Sequence, residues 1–397
     1  MRGTQRVNCP TQQRRANRLA FAGVAFGALV CTALPAWAEA GRVIRADRWV
    51  TPEGAIQPNA LVVIQDGVIT QIGGEPPVKL AVDDYSPAVL CPGLIDIQAA
   101  LGVQGGLSER RSAIQPELTA ADAFNRFTSQ RAAALAAGVT TFAIMPDNQN
   151  IIGGQIAVCQ TTGNSGVLEA AGPMKLSISP AAFKVDREPT SREGALGLLR
   201  ETLNTARRTP AEHPLLARLL AGERTGVLAA PTGADVLTAT QLADEYGLRL
   251  VLIHEHDARQ VAALATERVE GVIVGPLDYL SSPRDARGAG QFAAAGVPVA
   301  IAGGLPYESA DSLRIGANVA VGAGLSPEAA RSAITSVPAR LLGVNDRVGA
   351  IAEGRLADLV LFTGDPLDLR SRVLAVYVAG RRVYPAEPRR VSGGVGR

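Results

Sequence analysis

The stretch ADVLTATQLADEYGLRLVLI, residues 234–253, predicts a helix over Ala234 to Tyr246 followed by a strand over Leu248 to Ile253. The same alternation recurs along the middle of the chain, with extended segments predicted at 93–97, 139–144, 271–274 and 297–302, and helices at 119–137, 191–207 and 257–267. Strands that alternate with helices are typical of a parallel sheet, and repeated units over roughly 250 residues favour a barrel. We therefore predict an α/β fold in which residues 93–344 form a (β/α)8 TIM-like barrel.

Short strand-like runs dominate both flanks of this region. An Asp-Gly pair at 66–67, placed between two β-branched runs, predicts a tight hairpin turn. Near the other end, the segments 359–362 and 376–378 are rich in residues that favour strands. We expect residues 39–92 and 345–397 to pair into one composite β-sandwich domain beside the barrel.

Residues 1–38 have the pattern of a cleavable signal peptide. Five arginines precede an apolar run from Leu19 to Leu34, and the small residues of Ala36-Trp37-Ala38 predict cleavage after Ala38. The run is shorter than the ~20 residues that usually span a membrane. We therefore favour a soluble periplasmic or secreted product over an uncleaved anchor, and expect no membrane span after processing.

Processing would leave 34 basic residues against 37 acidic ones, because all five arginines of the signal peptide would be lost. Such a balance offers no positive field for nucleic acid or anionic lipid, so we expect no nucleic-acid partner. The cysteines that remain are Cys91 and Cys159. An oxidising compartment would permit a disulfide between them, but we favour two small buried hydrophobic side chains.

The segment Cys91-Pro92-Gly93-Leu94-Ile95-Asp96 closely resembles the first barrel strand of the amidohydrolase superfamily, which includes dihydroorotases and imidazolonepropionases. The similarity extends over nearly the whole mature chain and is nearest to an imidazolonepropionase-like branch. Its most specific parts are TSVPARLLG at 335–343 and GRLADLV at 354–360, which occur in the family's order. The resemblance implies a (β/α)8-like barrel beside a composite sandwich. It also implies a reaction in which one or two divalent metal ions activate water to hydrolyse non-peptide C–N bonds.

Most positions that the resemblance assigns to metal ligands carry residues that bind metal poorly or not at all. These degenerate positions are Gln98, Ala100, Ala229, Pro231 and Gly304. An amide oxygen is a weak ligand, and the other four side chains offer no donor atom. The glycine also stands where relatives carry an aspartate that acts as ligand and general base. The resemblance therefore implies a barrel whose metal centre has been lost.

His254 is the one metal position that keeps a ligand, at the end of the predicted sixth strand. His256 lies two residues further, so in an extended segment both rings could face one side, with a carboxylate such as Asp278 nearby. The chain has three histidines in all, which excludes a multi-histidine centre. We favour hydrogen-bonded histidines that line a pocket over zinc ligation by His254.

Other polar side chains are candidates for the same pocket. Asp147 follows a predicted strand, and the loops at strand ends carry function in this architecture, although ordinary loop composition explains it equally well. Gln155 follows a glycine pair that either brings backbone close to the pocket or serves a hairpin turn. The complete set of candidate pocket residues is Gln98, Asp147, Gln155, His254, His256 and Asp278.

Two functional hypotheses follow. The first is an exported, non-catalytic amidohydrolase-like protein that needs no cofactor and binds a small-molecule ligand or a homologous amidohydrolase subunit. The second is an active cyclic-amide or amide hydrolase that holds one divalent metal ion, zinc, around His254 and His256. The sequence contains no nucleophile elbow, phosphate-binding loop or dinucleotide fingerprint that would favour another enzyme class.

Overall fold

The computed structural model describes residues 41–385, apart from residues 78, 163–165, 255, 257 and 265–268. The predicted signal peptide at 1–38 and its cleavage after Ala38 lie outside these residues. Within the described part, no helix is both long and apolar enough to cross a membrane.

The strands fall into three stretches of the chain. Those of the first stretch are β1 (Arg42–Val50), β2 (Ile56–Gln65), β3 (Val68–Ile72), β4 (Ala81–Asp84) and β5 (Val89–Pro92). Those of the middle stretch are β6 (Leu94–Ala99), β7 (Val139–Ile144), β8 (Ile152–Gln155), β9 (Ala157–Gln160), β10 (Val167–Glu169), β11 (Met174–Ser177), β12 (Gly226–Ala229), β13 (Leu250–Ile253), β14 (Val269–Val274) and β15 (Val299–Ile301). Those of the last stretch are β16 (Leu359–Phe362), β17 (Val373–Val378) and β18 (Arg381–Tyr384).

The α-helices all lie between the first and last of these stretches. They are α1 (Gln130–Ala136), α2 (Arg192–Arg208), α3 (Pro214–Leu220), α4 (Gly233–Tyr246), α5 (Pro283–Ala294), α6 (Ser312–Gly322), α7 (Pro327–Ser332) and α8 (Ser336–Leu341). Helices α2 and α4 match the predicted helices at 191–207 and 234–246 to within one residue.

The residues that begin and end helix α4 explain why this helix could be predicted from the sequence. Thr232 caps its first turn, because the Thr232 hydroxyl accepts from Asp235 N while the Asp235 carboxylate accepts from Thr232 N. Gly247, with φ of 72°, ends the helix in the left-handed conformation that favours glycine. The next strand, β13, begins three residues later.

Two predicted helices are shorter than expected. The segment 119–137 contains a 3-10 turn at Ala120–Ala123 and then α1, because the Asn125 side chain accepts from the backbone N–H two residues on and interrupts the helix. In the segment 257–267, the described residues form only the 3-10 turn Ala262–Leu264.

Strands from both ends of the described chain form one eight-stranded sheet, ordered β18-β17-β16-β5-β1-β2-β3 with β4 beside β1. The two ends meet where β16 pairs antiparallel with β5, so that Leu361 lies opposite Leu90. Asp66 and Gly67 form the predicted turn between β2 and β3, with φ angles of 49° and 80°. The composite β-domain expected from the sequence is therefore present as a single continuous sheet.

The composite sheet buries both of its faces along β16. Leu359 and Leu361 pack in the core within the β-domain, whereas Val360 and Phe362 pack in the large core shared with the barrel helices. Gly138 allows this close approach, because a Cβ at this position would lie 3.1 Å from Val360 Cγ1. The alternation explains why β16 is apolar throughout.

The middle stretch supplies two sheets that share one apolar interior. β6 is parallel to β7, and β11 to β15 are parallel neighbours in chain order. Ile97 of β6, Val227 of β12 and Ile273 of β14 belong to one buried cluster inside these strands. Residues of α2 to α6 pack against the outer side of the strands. The predicted α/β fold with a TIM-like barrel is confirmed.

Candidate functional site

A cavity of about 380 Å³ lies at the carboxyl ends of β6, β7, β14 and β15. We call it the mouth cavity, and define it by the lining residues Gln98, Ala100, Asp147, Asn148, Gly304 and Glu308. Loops at this end of the strands carry the active sites of barrel enzymes. Two of the candidate pocket residues, Gln98 and Asp147, therefore meet in one place.

Three of the degenerate metal positions form part of this lining: Gln98, Ala100 and Gly304. The Gln98 Oε1 atom is buried, and no donor among the described residues is within hydrogen-bonding distance of it. Gly304 has φ of 77°, and a Cβ there would lie 2.8 Å from Pro276 Cγ. The backbone at this position is therefore shaped for glycine and resists an added side chain.

Asp96 lies beside the cavity wall but is occupied by backbone hydrogen bonds. Its Oδ1 atom accepts from Gly303 N at 2.8 Å and from Gln98 N at 3.2 Å, and its Oδ2 atom accepts from Leu305 N at 3.1 Å. The side chain is fully buried, which raises its pKa to about 6, although the bonds from backbone N–H groups act in the opposite direction. Asp96 therefore joins β6 to the loop after β15.

Asp147 projects into the mouth cavity from the loop after β7. Its carboxylate accepts from the hydroxyl of Ser108 and, at 2.9 Å and 2.8 Å, from the backbone and side-chain nitrogens of Gln149. These donors hold the carboxylate in place. It remains in the lining of the cavity, where a ligand could reach it.

Lys175 lies beneath the cavity with its side chain buried. The sequence analysis did not identify this residue. Its Nζ atom donates to Asn148 Oδ1 at 2.6 Å and to the carbonyl oxygen of Leu176 at 2.9 Å. Burial lowers the pKa of Lys175 to about 7, and the nearby charge of Asp147 partly opposes this shift. The signal was present in the sequence as a lysine between the apolar residues Met174 and Leu176 of strand β11.

A second cavity, of about 420 Å³, lies near the ends of β12 and β13. We call it the histidine cavity, and define it by the lining residues Pro231, His254, His256, Arg259, Arg284 and Asp285. His254 is 1% exposed, and its Nδ1 atom lies 2.7 Å from the carbonyl oxygen of Ala230, to which it donates. The structure therefore brings the two candidate histidines together, in a different cavity from Gln98 and Asp147.

The carboxylate partner of His256 is Asp285 rather than Asp278. His256 Nδ1 lies 3.2 Å from Asp285 Oδ1, because the first turn of α5 brings Asp285 to the cavity. Asp278 is exposed and instead accepts from Leu280 N at 2.9 Å and from Ser281 Oγ at 3.0 Å within its own turn. It is in the lining of neither cavity.

The described residues of the histidine cavity include potential metal ligands in His254, His256 and Asp285, whereas Pro231 contributes no donor atom. The ring centroids of His254 and His256 are 6.3 Å apart with the planes at 82°. Across the described residues, no group of three or more His, Cys, Asp or Glu side chains is arranged to hold a metal ion. Ala229, the neighbouring degenerate position, is buried at the end of β12.

Gln155 lies at the opposite end of the barrel from the mouth cavity. Strand β8 runs antiparallel to β11, so Gln155 at its end pairs with Met174 at the start of β11. Gln155 Oε1 accepts from Arg224 Nη1 at 2.9 Å, and Arg224 precedes β12. The strand direction, which the sequence pattern did not reveal, places Gln155 away from the predicted pocket.

Cys91 and Cys159, the two cysteines among the described residues, are buried and free of a disulfide. Burial raises the pKa of Cys91 well above its usual range and raises that of Cys159 to about 12. Neither thiol is therefore prepared to act as a nucleophile, and both pack as small hydrophobic side chains.

The sequence profile described as the amidohydrolase family matches residues 306–384 of the chain. No curated protein shows significant sequence similarity to it. Among solved structures, an amidohydrolase from Thermotoga maritima MSB8 superposes with a TM-score of 0.79 at 23% identity, covering 86% of this chain and 99% of that chain.

Two further solved structures share the fold at lower similarity. A phenylurea hydrolase B has a TM-score of 0.58 at 16% identity, covering 86% of this chain and 96% of that chain. A Xaa-Pro dipeptidase with methionine bound in its active site has a TM-score of 0.53 at 14% identity, covering 87% of this chain and 100% of that chain. The chain thus has the fold of the amidohydrolase superfamily, and the family profile matches its C-terminal part.

Proposed function

We propose that this chain is an exported amidohydrolase-like protein that lacks the catalytic metal centre and binds a small molecule in the mouth cavity without hydrolysing it. The observation that carries the proposal is the chemistry of the cavity wall. Gln98, Ala100 and Gly304 stand where the resemblance assigns metal ligands, and none offers a charged donor. A hydrolytic metal needs several such donors at once, because ligand number and charge decide its affinity.

Asp96, two residues before Gln98, is a carboxylate that is engaged in holding the barrel together. Asp96 already accepts three backbone N–H groups, from Gln98, Gly303 and Leu305. A ligating carboxylate would have to give up some of these bonds and leave buried N–H groups without acceptors, which is costly. This arrangement favours a structural use of Asp96 over a catalytic one.

The cavity itself is suited to a small ligand. Its volume of about 380 Å³ falls within the range of roughly 300 to 1,000 Å³ that is typical of small-molecule sites. Leu107, Met145 and Leu305 give it apolar walls, and a few polar groups converge among them. Ligand pockets commonly combine these two features. Loss of the metal therefore leaves a cavity that can still select a molecule.

The proposal is tested by filling the cavity. We expect native mass spectrometry of the gently purified protein to show a bound small molecule, which Ala100→Leu displaces because the larger side chain enters the cavity. Ala132→Leu, on the exposed side of α1, is the matched control and should retain the ligand. Equal ligand content in Ala100→Leu and wild-type protein would contradict the assignment to the mouth cavity, as would amide hydrolysis that depends on Gln98.

The histidine cavity supports a second candidate function, that of an amide or cyclic-amide hydrolase with one zinc ion. The observation in its favour is that His254 and His256 line one cavity, with Asp285 paired to His256. This candidate predicts that zinc content and hydrolysis of an amide or lactam are lost together in His254→Ala. The described donors support it less well than the first, because no three of them are arranged around one ion.

The alternative partner expected from the sequence is a homologous amidohydrolase subunit. It predicts a stable hetero-oligomer when both proteins are produced together, with the subunits eluting as one species on gel filtration. Ligand binding by the isolated chain, without such a partner, favours the small-molecule proposal.

A further inference from the structure

The charged side chains that line the mouth cavity are both carboxylates, and its neutral polar side chains are those of Gln98, Asn148 and Tyr307. Asp147 and Glu308 each contribute a carboxylate, and Gln98 contributes a buried carbonyl oxygen. Among the described residues that line the cavity there is no lysine, arginine or histidine. The cavity therefore presents negative charge and acceptor atoms to a ligand.

The Gln98 oxygen is the most informative of these atoms. It is buried, and no hydrogen-bond donor among the described residues reaches it. An unsatisfied buried acceptor is unfavourable, so native proteins usually supply a partner for it. Because Gln98 lines the cavity, a turn of its side chain would bring this oxygen to a donor on a ligand inside.

Buried Lys175 does not cancel the negative charge of the cavity. Lys175 is 1% exposed, and its ammonium group lies behind Asn148, to which it donates at 2.6 Å. Burial lowers the pKa of Lys175 to about 7, so the side chain is only partly charged at neutral pH. Asp147 therefore retains an attraction for a cation that enters from the solvent side.

We propose that the ligand of the mouth cavity is a small organic amine with a compact apolar body, which donates to Gln98 and is attracted by the carboxylates of Asp147 and Glu308. This inference rests on the proposed binding function and adds the ligand class to it. The apolar walls of Leu107, Met145 and Leu305 would cover the body of the molecule. The histidine cavity has a different character, because Arg259 and Arg284 line it.

The test uses three probes that share one ring and differ in charge: benzylamine, benzyl alcohol and benzoate. Calorimetric titration of the full protein should show that benzylamine binds about tenfold more tightly than benzyl alcohol, because a charge-assisted hydrogen bond is stronger than a neutral one. Benzoate should bind more weakly than the alcohol. The preference for the amine should shrink as salt is added, since the carboxylate of Glu308 is exposed to solvent.

Two variants test which side chains produce the preference for benzylamine over benzyl alcohol. Glu308→Gln should weaken benzylamine severalfold and benzyl alcohol less, whereas Gln98→Leu should weaken both probes to a similar extent, because each donates a hydrogen. Glu201→Gln, on the exposed side of α2, is the matched control and should change neither. Thermal unfolding of each variant establishes that it is folded.

The outcomes separate this inference from the function on which it rests. If benzyl alcohol or benzoate binds as tightly as benzylamine, and Ala100→Leu abolishes that binding, the amine class is wrong and the binding function stands. If none of the probes binds and no ligand accompanies the purified protein, both are wrong. If benzylamine binds equally well to Ala100→Leu, the mouth cavity is not its site and the inference is overturned.

Discussion

Lys175 Nζ donates a 2.6 Å hydrogen bond to Asn148 Oδ1, which links the buried interior of β11 to the loop that lines the mouth cavity. Burial lowers the pKa of this lysine from 10.5 to about 7. Between pH 7 and pH 10.5, Lys175 therefore binds a proton more readily in the unfolded chain than in the folded chain. The contribution of Lys175 to stability is therefore present above about pH 10.5 and is lost as the pH falls towards 7.

Lys175→Met should remove this pH dependence. We expect the free energy of unfolding of wild-type protein to gain at most about 5 kcal/mol from this group between pH 7 and 10.5, and that of the variant to lose this rise. Urea unfolding at a series of pH values measures the difference between them. A constant difference across the range would show that the lysine is not desolvated as described.

Asp96→Ala should destabilise the fold strongly. Removal of the carboxylate leaves the buried N–H groups of Gly303 and Leu305, together with that of Gln98, without an acceptor. We expect a loss of about 3 kcal/mol or more in the free energy of unfolding. The matched control Asp278→Ala, at an exposed turn, should cost about 1 kcal/mol or less. Equal losses in chemical denaturation would contradict the joining role of Asp96.

Asp96 also makes stability depend on pH, together with Asp358. Burial raises the pKa of each carboxyl from 3.8 to about 6, so the folded chain binds protons more readily than the unfolded chain between these values. Their contribution to stability is full below about pH 4 and is lost as the pH rises through 6. In denaturation series, Asp358→Asn should reduce the slope of stability against pH in this interval. An unchanged slope would show that the folded-state pKa of Asp358 is not raised.

Gly304→Asp should not recreate a metal site. The φ of 77° disfavours a side chain, and the new Cβ would lie 2.8 Å from Pro276 Cγ. We expect a cost of about 2 to 3 kcal/mol in thermal or urea unfolding and no gain in zinc affinity. Gly105→Asp is the control, because Gly105 has the same φ of 77° with no atom within 4 Å of an added Cβ, and should cost only about 1 kcal/mol. Similar costs at the two positions would contradict the proposed clash.

The periodic parts of the fold could be predicted from the sequence. Helix α4 carries a capping box and a terminal glycine, and the turn at Asp66-Gly67 has the residues that its φ angles require. The segment 119–137 was predicted less well, because the Asn125 side chain bonds locally to the backbone and interrupts a helix that composition alone favours. Local side-chain bonds of this kind leave little trace in a hydrophobic pattern.

The candidate site was predicted only in part, because site geometry depends on contacts between distant segments. Gln98 and Asp147 do meet in one cavity, as residues at neighbouring strand ends should. Gln155 lies at the other end, because β8 runs antiparallel to its neighbour, and chain order does not reveal that direction. Asp285 replaces Asp278 as the partner of His256 for a similar reason, since its place is set by the packing of α5.

The export hypothesis has its own direct test. Production in a Gram-negative host should yield a soluble periplasmic protein whose first residue is Glu39, because the predicted cleavage follows Ala38. N-terminal sequencing of the fractionated protein gives the answer. A protein that stays with the membrane fraction and begins at Met1 would contradict it.

Elemental analysis tests most directly whether the chain keeps the amidohydrolase fold without a catalytic metal. The purified protein is incubated with zinc, freed of loosely bound ions by gel filtration, and analysed beside His254→Ala. We predict well below one zinc ion per chain, no difference in zinc content between the two proteins, and an unchanged cooperative fold. One tightly held zinc ion per chain, lost in His254→Ala together with hydrolysis of an amide, would contradict it.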